Sequence, residues 1–346
     1  MTAVQALRGA NYWSTRPVTR MDLTLGAYED ISSAQAPGFT DALRAALPGL
    51  VEHRCSIGER GGFVTRLRRG TYAPHIIEHV ALELQCMIEH DVGYGKTRGG
   101  DVPGEYTLVF EHLHGGVGLR AAALALEIVQ HGFAGTLNSI DYALTELKSI
   151  AGSPDAPPLW QHVLCGITGG GPRHETRDEL LRRGVNSDSV IVDVAPGYIL
   201  QAGLPYSRSE FAIILDAEPS DVPERYRDPE RARTLVSVLA DAVWRDGIVI
   251  APAKEWEVQD RARDVGCRVA VFATDDDITA RDKKVAHSAA SVEGGRIVLE
   301  CGGTVTDAGP LRDDVSVTAQ VAAALAMFTI QELKPNLLLV VSPKVS

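Results

Sequence analysis

Residues 75–79 read HIIEH, and their types and spacing are those of a metal site. On a helix, positions i and i+4 lie one turn apart on one face, so His75 and His79 can reach a single ion together. Glu78 sits about 60° round the helix from His75, close enough to address a metal-bound water. H-x-x-E-H is the inverted zincin pattern, in which two imidazoles hold zinc and the glutamate acts as general base. A catalytic zinc also needs a third protein ligand and one open position. Glu111, in TLVFEHLHGG, is the leading candidate, with His112, His114 and Glu127 as alternates. Strand alternation puts Glu111 and Leu113 on one face and His112 and His114 on the other, so only one set can face the metal. The plain alternative is that His75 and His79 are ordinary histidines on a half-buried helix.

The segment just upstream, HRCSIGERGGFVTRLRRG (53–70), carries Arg54, Arg60, Arg66, Arg68 and Arg69 against a single acid, Glu59. Guanidinium forks hold carboxylates in bidentate geometry. Together the five arginines suggest a pocket for a small molecule or peptide bearing carboxylates; a solvated basic face is the other reading. Elsewhere the motifs are negative. GITGGGPR (166–173) is glycine-rich but has no Lys-Ser/Thr, and no G-x-x-x-x-G-K-[ST] loop occurs in the chain, so no cradle for a nucleotide's phosphates is expected. HETRD (174–178) lacks the second histidine of a zinc motif. Zn2+ is therefore the one cofactor expected.

These residues sit in a chain of 346 residues with a net charge of −11. That balance argues against a general nucleic-acid binder, which needs a basic footprint. Five scattered cysteines without a C-x-x-C pair fit a reduced intracellular protein. The N-terminus shows no apolar signal region, and the apolar runs at 321–328 and 337–341 are too short to span a bilayer. The expectation is a cytoplasmic protein that binds no membrane and forms a homo-oligomer.

Two element patterns divide the chain. Up to residue 150, DLTLGAYED (22–30) and YTLVFEHL (106–113) read as strands. FTDALRAALPGL (39–50), HIIEHVALELQCMIEH (75–90), GLRAAALALEIVQHG (118–132) and TLNSIDYALTELKSI (136–150) read as helices. The expectation is an α+β domain over 1–150 carrying the H-x-x-E-H helix. AGSPDAPP (151–158) reads as a linker. Over 159–346, SVIVDVA, EFAIILDA, GIVIAPA and RVAVFAT are short, continuously apolar runs separated by helical stretches such as RARTLVSVLADAVWRDG (231–247). That pattern predicts an α/β domain with a mostly parallel sheet covered on both faces, a hairpin over 296–309 and a buried helix over 315–334.

RGANYWS (8–14), PGF (37–39), LPGLVEHRCSIGERGGFVTRLRRGTY (47–72), HIIEHVALELQ (75–85), DVGYGKTR (91–98) and YTLVFEH (106–112) together resemble the N-terminal domain of cyanophycin synthetases. That family polymerises aspartate and arginine with an ATP-grasp module and a Mur-ligase-like module. Its N-terminal domain is implicated in some members in metal-dependent hydrolysis of the polymer, with an H-x-x-E-H that matches His75, Glu78 and His79. The stretch GGGPRHETRDELLRRGVNSDSVIVDVAPGYILQAGLPYSRSEFAIILDAEPSDVPERY looks like the later part of the Mur-ligase-like module, so the second domain is expected to be Mur-ligase-central-like. It departs from the family at Asp193, Pro196, Tyr198 and Asp221-Val222-Pro223, and the ATP-grasp module is missing between the halves. Two functions follow as expectations. One is a zinc-dependent amide hydrolase of the inverted zincin type, acting on an aspartate- or arginine-containing amide. The other is a catalytically inactive synthetase-like scaffold or partner, a pseudo-ligase.

Overall fold

The computed structural model describes residues 1–26, 29–156, 160–186, 189–274, 278–279, 282 and 285–333. The end of the expected linker, 157–158, and the apolar run 337–341 lie outside these residues. The chain divides into two compact units, residues 1–8 with 16–157 and residues 9–15 with 158–346.

The first unit is built on a four-stranded antiparallel sheet with strand order β1-β2-β4-β3. Its strands are β1 (Ala3–Leu7), β2 (Val18–Thr24), β3 (Gly95–Gly99) and β4 (Glu105–Glu111). Register is fixed by alternation: Met21 pairs with Leu108 and Thr19 with Phe110. Met21, Leu23, Leu108 and Phe110 all turn into the core, because a one-residue slip would put these apolar side chains in water. Helices α3 (Ala73–Cys86) and α4 (Gly115–Phe133) lie side by side against the sheet, with α1 (Phe39–Ala46), α2 (Gly62–Arg69) and α5 (Asp141–Ala151) around them. Pro74 opens α3 in its first turn, where the missing N–H costs nothing. Ile76, Ile77, Val80, Ala81 and Leu84 are fully buried. The helix is enclosed more completely than an amphipathic surface helix, since Glu78, His79, Glu83 and Gln85 are buried as well.

The second unit is an α/β structure around an eight-stranded sheet with order β12-β11-β10-β9-β8-β7-β5-β6. Strands β5 (Trp160–Thr168), β6 (Ile191–Asp193), β7 (Tyr206–Ile214), β8 (Val243–Pro252), β9 (Arg268–Phe272) and β10 (Ser288–Glu293) are parallel. Strands β11 (Arg296–Cys301) and β12 (Thr304–Pro310) add an antiparallel meander at one edge. Successive residues alternate between two cores. Phe211 and Ile213 of β7 face one side with Ile248 and Ile250 of β8, while Ala212, Ile214, Val249 and Ala251 face the other. Helices α6 (Arg173–Arg182) and α11 (Val317–Leu333) cover the first side; α7 (Pro196–Ala202), α8 (Pro229–Val236), α9 (Val238–Ala242) and α10 (Trp256–Asp264) cover the second. Double coverage explains the continuously apolar strand sequences.

Several expected elements shift. The strand expected over 22–30 lies instead at Val18–Thr24, and residues 27–28 are outside the described set. The single helix expected over 231–247 is two short helices, and Val243–Gly247 belongs to β8. Strands β1, β3, β5 and β10 and helices α2 and α6 are not foreseen in the sequence. Among the described residues no helix is long and apolar enough to cross a membrane.

Candidate functional site

The first unit contains a cleft of about 1150 Å³ floored by α3, and His75, Glu78 and His79 all line it. Behind them the packing is tight. Phe63 of α2 stacks on His79 with ring centroids 3.9 Å apart. Gly95 of β3 has no room for a side chain, because a Cβ would stand 2.5 Å from Glu78 Oε1.

The two histidines are held by different relays. His75 Nδ1 lies 2.9 Å from Thr71 Oγ1, and its Nε2 is 3.2 Å from Cys55 Sγ. His79 Nδ1 lies 2.8 Å from His53 Nδ1, whose Nε2 lies 3.1 Å from Glu83 Oε2. The assignment that satisfies this second chain has His53 Nε2–H donating to Glu83 and His79 Nδ1–H donating to His53. His79 Nε2 then keeps a bare lone pair. Burial, with help from the charge of Arg66, lowers the His75 pKa to about 4. Burial, then His75, His53 and Arg66, lowers that of His79 to about 2. Both rings are therefore neutral near pH 7, as metal ligation or lone-pair chemistry requires.

Cys55 was not singled out from the sequence, yet it completes the cluster. One ligand atom each from Cys55, His75 and His79 lie within 4.8 Å of one another. A thiolate and two imidazoles are a donor set that fits a divalent transition metal. Cys55 reaches this place through a left-handed backbone conformation, φ 55°, at the start of the 3-10 turn Cys55–Ile57. Such a φ is uncommon for a residue other than glycine.

Glu111 is not the third member. It is buried at the end of β4, where its Oε1 accepts from Arg16 at 2.8 Å and its Oε2 from the amides of Gly93 and Tyr94. Burial pushes its pKa up, but the Arg16 guanidinium and the two amides outweigh that and hold it below the usual carboxylate range. The alternates are engaged elsewhere too. His112 Nδ1 is 3.0 Å from Thr19 Oγ1, His114 caps α4 by accepting from the Val117 amide, and Glu127 accepts from the Tyr142 hydroxyl. Glu78 accepts a hydrogen bond from Thr97 Oγ1. Burial raises its pKa to about 7 despite that bond, so near neutral pH it is divided between the carboxyl and carboxylate forms.

The arginine cluster divides. Arg54 and Arg66 line the cleft, and neither has a carboxylate partner among the described residues; Arg66 donates to Ser56 Oγ at 2.6 Å. Arg60 does not line the cleft and is ion-paired with Glu52, which does. Arg68 and Arg69 are exposed in the last turn of α2 and do not line the cleft.

This cleft lies within a segment, residues 20–133, that matches the family model described as "Cyanophycin synthase-like N-terminal domain". The cyanophycin synthetase of Synechocystis sp. is 44% identical over 149 residues, covering 41% of this chain and 16% of that protein. That of Crocosphaera subtropica is 41% identical over 163 residues, covering 46% and 19%. The match thus spans less than a fifth of either relative. Among solved structures, MurF from Acinetobacter baumannii aligns at TM-score 0.33 and 11% identity, over 51% of this chain and 45% of that one. That likeness is too slight to assign chemistry. The matches overturn the expectation of a zinc-dependent amide hydrolase of the inverted zincin type: the relatives of the cyanophycin synthase-like domain are synthetases, not metallopeptidases.

Proposed function

We propose that the chain is a synthetase-like partner protein that binds a carboxylate-bearing peptide without joining it to anything, a pseudo-ligase. The observation that carries this is the pair Arg54 and Arg66, standing without carboxylate partners among the described residues on a large cleft in the cyanophycin synthase-like domain. Unpaired guanidinium groups at the rim of a cleft attract carboxylates and can bind them through two parallel hydrogen bonds. Cys55, His75 and His79 are the residues that would hold a divalent transition metal on the same wall, and the ion would lock the 53–57 turn to α3.

The second unit is read here as a Mur-ligase-central-like domain that does not turn over nucleotide. Its glycine-rich turn after β5 has Pro172-Arg173-His174 in place of the Gly-Lys-Ser/Thr ending that cradles nucleotide phosphates. By analogy with the synthetases it resembles, the peptide would be an aspartate- or arginine-containing chain, and the partner a complete synthetase or a second copy of this protein. Calorimetry with a tetra-aspartate peptide tests the binding step. The reading expects binding that weakens in an Arg54→Ala/Arg66→Ala double variant. Equal binding by tetra-asparagine, or by the double variant, would overturn it.

A further inference from the structure

Strand β3 is the outer strand of the first unit's sheet: β4 pairs with one side of it, and among the described residues no strand pairs with the other. The ladder fixes which of its backbone groups face outward. The Glu111 amide donates to the Tyr94 carbonyl at 2.8 Å and the Gly100 amide to the Glu105 carbonyl at 2.6 Å. Between them the register runs unbroken from Gly95 opposite Phe110 to Gly99 opposite Tyr106. Hydrogen-bonded and non-hydrogen-bonded residues alternate along an antiparallel pair, so Lys96 and Arg98 spend their N–H and C=O groups on β4. Gly95, Thr97 and Gly99 point theirs away from it, and none of these groups has a partner among the described residues.

Such a row is a template for another strand, and this one belongs to the cleft. Gly95, Thr97 and Gly99 line it together with Arg54 and Arg66. Side chains leave the row open. Glu78 keeps position 95 bare, Thr97 turns its hydroxyl to the same Glu78, and a Cβ at Gly99 would meet nothing within 4 Å.

Charge selects the occupant. Lys96 and Arg98 are exposed, and Lys96 joins Arg54 and Arg66 in lining the cleft. The lining carboxyl groups are already engaged: Glu52 by Arg60, Glu78 by Thr97 and Glu83 by His53. Two copies of a basic β3 would set like charges against each other, which disfavours self-pairing. An acidic strand meets the opposite balance. A strand presents every second side chain to one face, so its carboxylates can address the arginines while its main chain bonds the sheet edge, as in β-strand addition.

We propose that an extended acidic peptide binds this cleft as a fifth strand on β3, held by the outward N–H and C=O groups of Gly95, Thr97 and Gly99. This rests on the peptide-binding reading and adds to it a main-chain requirement that charge alone would not impose. The test is calorimetric titration of the whole protein with acetylated hexa-aspartate amide and two analogues, one N-methylated at its odd-numbered residues and one at its even-numbered residues. N-methylation removes the donor and keeps every carboxylate. Only alternate amides of a bound strand face its neighbour, so one analogue should lose affinity at least about tenfold while the other stays within about threefold of the parent. Amide hydrogen exchange followed by nuclear magnetic resonance should slow at Gly95, Thr97 and Gly99 when the unmodified peptide is added, with little change at Lys96 and Arg98. Equal effects of the two methylation patterns, or unchanged exchange along β3, would overturn the strand mode and leave the charge-based reading standing. No binding of the unmodified peptide would overturn both.

Discussion

In the cleft of the first unit the rim cations Arg54 and Arg66 have no carboxylate partner among the described residues, Lys96 lines the cleft as well, and beneath them His75 and His79, held neutral by burial, lie with Glu78 and Glu83. The second unit has a crevice of about 790 Å³ at the loops after β7 and β8. There the lining cations Lys254 and Arg263 are already ion-paired, and Asp216 and Asp282 are lining carboxylates without a cation partner among the described residues. Both cavities are of ligand-binding size, yet they differ in which charges stand without a partner among the described residues: guanidinium groups in the first, carboxylates in the second. One glycine-rich segment lies beside each, and the contrast shows that glycine content is no guide to the ligand. Gly95 makes room for a buried carboxyl on its own helix neighbour, whereas Gly170 and Gly171 fold down onto a carboxylate from the next strand.

The comparison breaks most sharply at the cores. Phe110 and Phe211 are fully buried in separate hydrophobic clusters. Phe110→Ala should destabilise the first unit by about 3–5 kcal/mol and Phe211→Ala the second by a similar amount. Differential scanning calorimetry should show each variant lowering one transition while the other holds. Both transitions falling together in either variant would mean that the units do not unfold independently.

Protonation distinguishes the first unit next. Glu78 has its pKa raised to about 7 by burial, so its contribution to stability is complete below the unfolded value near 4.5 and is lost as pH rises through 7. His75 and His79 have lowered values; their contribution is complete above 6.5 and is lost as pH falls toward 4. Two histidines outweigh one glutamate, so stability of the metal-free first unit should rise from pH 4 and level off near pH 7. Glu78→Gln removes the opposing contribution, so the variant should gain on the order of 3 kcal/mol more than the parent between pH 4 and 8. Chemical denaturation with a chelator over that range checks this, and an equal rise in the variant would contradict the burial argument.

Metal affinity gives a smaller and more local contrast. Cys55→Ser and His75→Ala should each weaken binding of a divalent transition metal at least about tenfold, whereas Glu111→Gln should leave it unchanged. A competitive chelator titration reads the difference. Loss in the Glu111 variant alone would restore the ligand set expected from the sequence.

Much of this was legible in the sequence where burial imposed a pattern. The apolar runs of β7, β8 and β9 and the helical spacing through α3 were readable because each is enclosed by its own side chains. Strand β3, Gly95–Gly99, carries no apolar period; it exists because β4 pairs with it. Strand β5 was obscured by its own end, where GITGGG reads as loop. Position 55 was not legible as a site residue, since it lies 20 residues from His75 and arrives through a left-handed turn that no spacing rule describes. Strand alternation correctly set Glu111 apart from its histidine neighbours, but it could not reveal Arg16, 95 residues away, as its partner. Arg60 was miscounted for the same reason, its partner Glu52 lying across a turn.

The central claim is binding without ligation, and one measurement addresses it directly. Full-length protein is incubated with tetra-aspartate peptide, free arginine, ATP and magnesium, and ADP release and peptide mass are followed together, with peptide binding verified in the same buffer. The account predicts bound peptide of unchanged mass and no ADP above the protein-free background. ADP release matched by a mass gain on the peptide would contradict it and make the chain an active ligase.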